Sequence, residues 1–109
     1  MNFKEYQKHT AETAFYPNVG ENYMYPALGL AGEAGEIANK VKKIERDFGG
    51  VINDEVREMV QAEMGDLLWY MAQLSSELGL DLEAIAADNL AKLADRKERG
   101  VLHGNGDTR

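Results

Sequence analysis

Two acidic pairs in this chain have the spacing of a metal-ligating set: Glu33-x-x-Glu36 and Glu63-x-x-Asp66. Both pairs lie in stretches of helical character, and residues three apart share one helix face. Each pair can therefore aim two carboxylates at one point. The ordinary account of such a pair is a solvated acidic face, and a helical wheel at roughly 100° per residue tests it. With Glu33 at zero, Leu30, Ile37, Val41, Ile44 and Phe48 fall between roughly 20° and 80°, and Glu36 falls at about 300°. With Glu63 at zero, Val56, Val60, Leu67, Met71, Leu74 and Leu78 fill nearly the same arc of roughly 20° to 80°, with Asp66 near 300°. In both helices the first acid borders the apolar stripe. The second lies just outside it, on the same side.

Four carboxylates beside a core repel one another, and desolvation raises their proton affinity. A bound cation removes both problems. Oxygen-only ligands favour a hard ion, Mg²⁺ or Mn²⁺. Di-iron carboxylate bundles use Glu-x-x-His motifs, but neither His9 nor His103 stands three residues after a glutamate. The chain has no cysteine, which rules out thiolate zinc and disulfides. Mg²⁺ often binds through a few carboxylates plus substrate phosphates. The pattern points to a metal-assisted reaction on a phosphate compound.

Helices must position these acids. The sequence predicts a first helix over residues 3–14, capped by Asn2. An irregular connection follows, FYPNVGENYMYP, which holds both prolines. Pro26 suits the first turn of a second helix running to Phe48 and ended by Gly49-Gly50. Asn53 caps a third helix that runs to Leu78, with Gly79 after it. Asp81 caps a fourth helix over residues 82–99, closed by Gly100. The tail, residues 100–109, is glycine-rich and polar. It reads either as a frayed terminus or, through His103, Gly104, Gly106 and Asp107, as a flap over a ligand. Gly29, Gly32 and Gly35 cost a helix on the order of 1 kcal/mol each. On the wheel they form a slanting row next to the acids. Such a row admits a packed helix, a bulky ligand, or both.

The chain of 109 residues reads as one domain, 1–109. Its net charge of −7 disfavours a nonspecific grip on a nucleic-acid polymer. No apolar run is long enough for a membrane span, and the N-terminus lacks a signal-peptide pattern, so a soluble cytoplasmic protein is the default expectation.

The segments GLAGEAGEIANKVKK and EMGDLLWYMAQL resemble the MazG-like nucleotide pyrophosphohydrolases of the all-α NTP pyrophosphatase superfamily. Their signature is ExxE, a spacer, then ExxD, met here without departure. The C-terminal NLAKLADRKERGVLHGNGDTR resembles a subgroup of small stand-alone members. The resemblance implies an all-α, four-helix, bundle-type fold that works as a homodimer or homotetramer, with active-site clefts near subunit interfaces. It implies Mg²⁺-dependent hydrolysis of a nucleoside triphosphate between the α- and β-phosphates, to monophosphate and pyrophosphate. By match to the motif, Glu33, Glu36, Glu63 and Asp66 would be the metal ligands and catalytic set.

Asn89, Lys92 and Arg96 share a face of the fourth helix. They suit either the phosphate chain or local ion pairs. Lys43 lies on the Glu36 side of the second helix and is a further candidate for the phosphates. Tyr23, Tyr25 and Trp69 are flat groups suited to a nucleobase, although Trp69 equally suits packing against a partner subunit. Tyr16 and His9 are weaker candidates. Two rival classes stand beside a triphosphate hydrolase: a helical oligomer that binds metal and nucleotide without turnover, and a relative of the phosphoribosyl-ATP pyrophosphohydrolases. A purely structural acidic helix pair is a third account. It predicts no specific cation effect on melting.

Overall fold

The two long amphipathic stretches pair with each other. In the computed structural model, which describes residues 1–109, α2 (Met24–Phe48) and α3 (Asp54–Glu77) form a helical hairpin. Only residues 49–53 join them, which suits antiparallel neighbours. α1 (Phe3–Thr10) lies against α3, and α4 (Leu82–Glu98) touches α1 and α3. There are four α-helices and no strand, so the expected all-α class holds. No helix is long and apolar enough to cross a membrane.

Local chemistry sets the ends of these helices. Asn2, Asn53 and Asp81 accept from the backbone N–H groups of Glu5, Val56 and Glu83 at 2.8, 2.9 and 2.9 Å. Gly79 (φ 68°) and Gly100 (φ 74°) supply the left-handed residue that ends α3 and α4. The chain then turns back, Leu80 N–H to Ser75 O at 2.7 Å and Val101 N–H to Arg96 O at 2.9 Å.

The first helix is shorter than predicted. It ends at Thr10, and a 3₁₀ turn, Ala11–Thr13, follows. The Thr10 and Thr13 hydroxyls bond back to the Gln7 and Thr10 carbonyls at 2.6 and 3.2 Å, which competes with regular helix. The Gln73 amide of α3 also donates to Thr10 Oγ1 at 2.6 Å, a tertiary pull that helical periodicity does not contain. Gln7 ties α1 to the α3–α4 turn, accepting from Leu82 N–H at 2.8 Å and donating to Leu80 O at 2.9 Å.

Gly29 is where the glycine row meets a packing constraint. A Cβ there would overlap the Tyr70 ring, whereas at Gly32 and Gly35 a Cβ would meet open space. The α2–α3 contact thus needs glycine at one of the three positions. Gly29→Ala is expected to destabilise by about 1–3 kcal/mol through overpacking. Gly32→Ala should stabilise the isolated chain by about 1 kcal/mol through helix propensity. Chemical denaturation of both variants checks the pair of signs, and equal effects would refute the assignment.

The single chain is open. Only 10 of 109 residues are buried. The radius of gyration is 16.8 Å, against about 13 Å for a compact domain of this length. The accessible surface is 7745 Å², against about 6,000 Å² for a compact monomer of this mass. A long apolar groove of about 920 Å³ runs between α2 and α3, lined by Val41, Ile44, Val56, Val60, Leu67 and Met71 among others. These are the stripe residues that the wheel assigns to a core.

Candidate functional site

The antiparallel hairpin brings the two acidic motifs together across the α2–α3 contact. Glu33, Glu63 and Asp66 offer carboxylate oxygens that all lie within 4.8 Å of one another. Glu33 and Glu63 are half-buried, and Asp66 is exposed. Glu36 is exposed and does not join this trio. It stands one turn along α2, where its charge still acts on Glu33. The wheel does not separate them: Glu36 and Asp66 both fall near roughly 300°, outside the apolar stripe, yet only Asp66 joins the trio, so Glu36 stands outside the four-ligand set expected from the sequence. The set is three convergent carboxylates with a fourth beside them.

Glu33 is the strained member. Its Oε2 is buried and has no hydrogen-bond partner. Its pKa is raised above the ordinary 4.5, first by carboxyl–carboxyl contact with Glu63, then by burial and by the charges of Asp66, Glu63 and Glu36. No Lys or Arg pairs with any of the four acids. An orphaned, buried carboxylate oxygen in an all-oxygen cluster fits a hard divalent cation. Two tyrosines border the trio. Tyr6 of α1 has its pKa raised by burial and by the Asp66 charge. Tyr70 has its pKa raised by burial, then by Tyr25, Glu33 and Asp66.

A pH prediction follows. The folded chain holds the Glu33 proton more tightly than the unfolded chain does. This group's contribution is therefore full below pH 4.5, and it is lost as pH rises from there through the raised value. Melting temperature without metal should carry a falling contribution above pH 4.5, and saturating Mg²⁺ should remove it. Parallel curves with and without the ion would count against the trio as a cation site.

An aromatic cavity of about 340 Å³ adjoins the acids. Thr13, Phe15, Tyr16 and Pro17 line it together with Tyr25, Trp69 and Tyr70. Trp69 and Tyr70 also line the small cleft over Glu33 and Asp66, so the two spaces share a wall. Tyr16 stacks on Tyr25 at 4.7 Å between centroids, 9° from parallel. Trp69 meets Tyr16 and Tyr70 edge-on at 6.4 and 5.1 Å. The Trp69 indole N–H donates to Thr13 Oγ1 at 2.9 Å.

Comparison with known proteins places the chain in a family. Residues 24–101 match the MazG nucleotide pyrophosphohydrolase domain. The chain belongs to the MazG family. The matched segment spans both acidic motifs and runs to the end of α4. Gene 37 protein of Mycobacterium phage L5 is 50% identical over 114 residues, covering 100% of both chains. No solved structure matches the chain.

The other sequence-predicted residues separate into two groups. Trp69 lines both the cavity and the acidic cleft. Tyr25 lines the cavity, whereas Tyr23 is exposed and does not. Lys43 acts on Asp47, one turn further along α2. Asn89 is exposed. Lys92 and Arg96 are joined by the tail: the Lys92 ammonium meets Asp107 Oδ1 at 2.8 Å, and Arg96 reaches the same oxygen at 3.2 Å and the Asp107 carbonyl. Arg96 is only 5% exposed. The tail is folded rather than frayed, with the Arg109 guanidinium donating to the carbonyls of Val101, Leu102 and Gly106. It lies back on α4, not over the acidic trio.

Sequence reasoning missed Tyr70 and Tyr6. Tyr70 stands four residues after Asp66 and so shares its face, a signal that was open to reading. Tyr6 comes from α1, and no local spacing relates it to Asp66.

Proposed function

We propose that this chain hydrolyses (deoxy)nucleoside triphosphates between the α- and β-phosphates, releasing monophosphate and pyrophosphate, with Mg²⁺ as cofactor and Mn²⁺ as the alternative. The observation that carries this reading is the shared wall: a carboxylate trio with an orphaned oxygen directly adjoins a cavity of aromatic rings. Glu33, Glu63 and Asp66 hold the ion, and Glu36 strengthens the local negative field. These residues would hold Mg²⁺, which would supply charge neutralisation at the phosphate oxygens and activation of a water. One carboxylate of the set accepts that water's proton. Trp69, Tyr25 and Phe15 supply flat faces for the base; Phe15 is 88% exposed and Tyr25 is 42% exposed. Stacking on aromatic rings is tolerant of base identity, which suits control or cleansing of a nucleotide pool.

The active unit is a homo-oligomer. The excess surface of the single chain, about 1,700 Å² beyond a compact monomer, is of the size that obligate interfaces bury. Lys92 and Arg96 of α4 would supply positive charge for the phosphate chain at a cleft near the subunit contact only with Asp107 released from them, since in the single chain that carboxylate pairs with both and Arg96 is buried. The test is pyrophosphate release from mixed deoxynucleoside and ribonucleoside triphosphates with Mg²⁺. Nucleotide binding with no release of pyrophosphate would replace the hydrolase with a non-catalytic binding module. Turnover confined to phosphoribosyl-ATP would move the substrate to that relative.

A further inference from the structure

The connection between the 3₁₀ turn and α2, residues 14–23, has no regular structure, yet it supplies Phe15, Tyr16 and Pro17 to the lining of the aromatic cavity. A single carboxylate holds much of it in place. Glu77, the last residue of α3, accepts from Gly20 N–H at 2.8 Å and from the Tyr16 hydroxyl at 3.0 Å. Asn22 N–H lies 3.4 Å from both of its oxygens. Gln73, one turn earlier on α3, accepts from the same hydroxyl at 3.2 Å. We propose that Glu77 is a positioning residue for the nucleobase: through Tyr16 it fixes the Tyr25 ring and so the width of the aromatic slot. This rests on reading the cavity as the base site.

The chain of contacts is direct. Tyr16 is buried and stacks behind Tyr25, whose ring is partly open to solvent. Gly20 has φ 95° and Asn18 has φ 56°, so the connection follows a path in the left-handed region that external contacts must hold. The Glu77 carboxylate supplies them from a helix end, a rigid anchor. Charge also decides the matter. Burial raises the Glu77 pKa, and the bonds from Gly20, Tyr16 and Asn22 outweigh that and bring it below the ordinary 4.5. The Tyr16 phenol is pushed up to about 12 by burial and then by Glu77. Both groups therefore keep their bonding forms, carboxylate and phenol, at neutral pH. Glu77 lies three helical turns from Asp66 along α3, about 16 Å. It acts on binding and not on the phosphate chemistry.

The test uses Glu77→Ala and Tyr16→Phe, the second of which keeps the ring and the stack. Trp69 is the only tryptophan and stands edge-on to Tyr16, so its fluorescence reports this lining directly, without substrate. Both variants should shift Trp69 emission and its acrylamide quenching. Both should weaken nucleotide binding about tenfold, within the range for loss of one base stack, and leave kcat within about twofold. Inorganic tripolyphosphate, which has no base, should compete as well against the variants as against the wild type. The double variant should lose less than the sum of the two single losses, because the Tyr16–Glu77 contact is common to both while the Gly20, Asn22 and Gln73 bonds are not. Unchanged Trp69 emission would overturn the proposal, as would tripolyphosphate and nucleotide affinities falling together. If Glu77→Ala does not fold, Tyr16→Phe decides by the same readouts. A wild type that binds a non-hydrolysable triphosphate analogue but hydrolyses nothing would refute the hydrolase reading alone, and analogue affinity then replaces KM in the comparison.

Discussion

Glu63→Gln is expected to abolish pyrophosphate release while leaving the helical fold intact. Glutamine keeps the size of glutamate and removes one charge. The Glu63 carboxyl is the main cause of the raised Glu33 proton affinity, and it is one of the three groups within 4.8 Å. Its loss displaces or empties the cation site, and small misplacement at a reacting centre costs about 100-fold or more. Stability should move the other way. Without metal, the trio concentrates negative charge around a buried, unpartnered oxygen, so removing one charge should raise the melting temperature of the apo protein. The shift produced by Mg²⁺ should shrink or vanish. Asp66→Asn should show the same opposed signs. Glu45→Gln, at an exposed position on α2, should leave activity and the Mg²⁺ shift nearly intact. Turnover of a deoxynucleotide mixture and melting with and without Mg²⁺ measure all of this. An active Glu63→Gln protein with an undiminished Mg²⁺ shift would remove the basis for the site.

The second large effect concerns assembly. Val41 lines the apolar groove and is 52% exposed in the single chain. Within one chain, Val41→Lys should cost less than about 1 kcal/mol, as ordinary surface substitutions do. In an oligomer that covers the groove, the same lysine would bring an unpaired charge into an apolar contact, at a cost of several kcal/mol. That corresponds to weakening of association by about 100-fold or more. Sedimentation at micromolar concentration should show wild-type oligomer and largely monomeric Val41→Lys. Activity should fall with dissociation, because the proposed cleft lies near the subunit contact. A variant that sediments as wild type and turns over normally would free the groove of this role. A monomeric, fully active wild type would refute the oligomeric reading itself.

Within the sequence, whatever depended on neighbours within about four residues was legible. The caps at Asn2, Asn53 and Asp81, the closing glycines at 79 and 100, and the phase of the acids against the apolar stripes are all of this kind. Helical geometry repeats every 3.6 residues, so spacing alone states which side chains share a face. That was enough to mark both acidic motifs and the helices that carry them. Contacts between distant segments have no such rule. The meeting of Thr13 with Trp69, of Tyr16 with Glu77, and of Tyr70 with Gly29 depends on how the helices cross, and only the tertiary structure decided it. It also turned three equivalent-looking glycines into one packing requirement and two bare surfaces. It drew three of the four acids together and left Glu36 outside, because across the helix contact the first acid of α2 faces α3 and the second turns outward. The tail shows the same limit: its composition left a frayed end or a flap open, whereas Asp107 binds it to Lys92 and Arg96 of α4 and Arg109 ties it to its own carbonyls, contacts that no local pattern links.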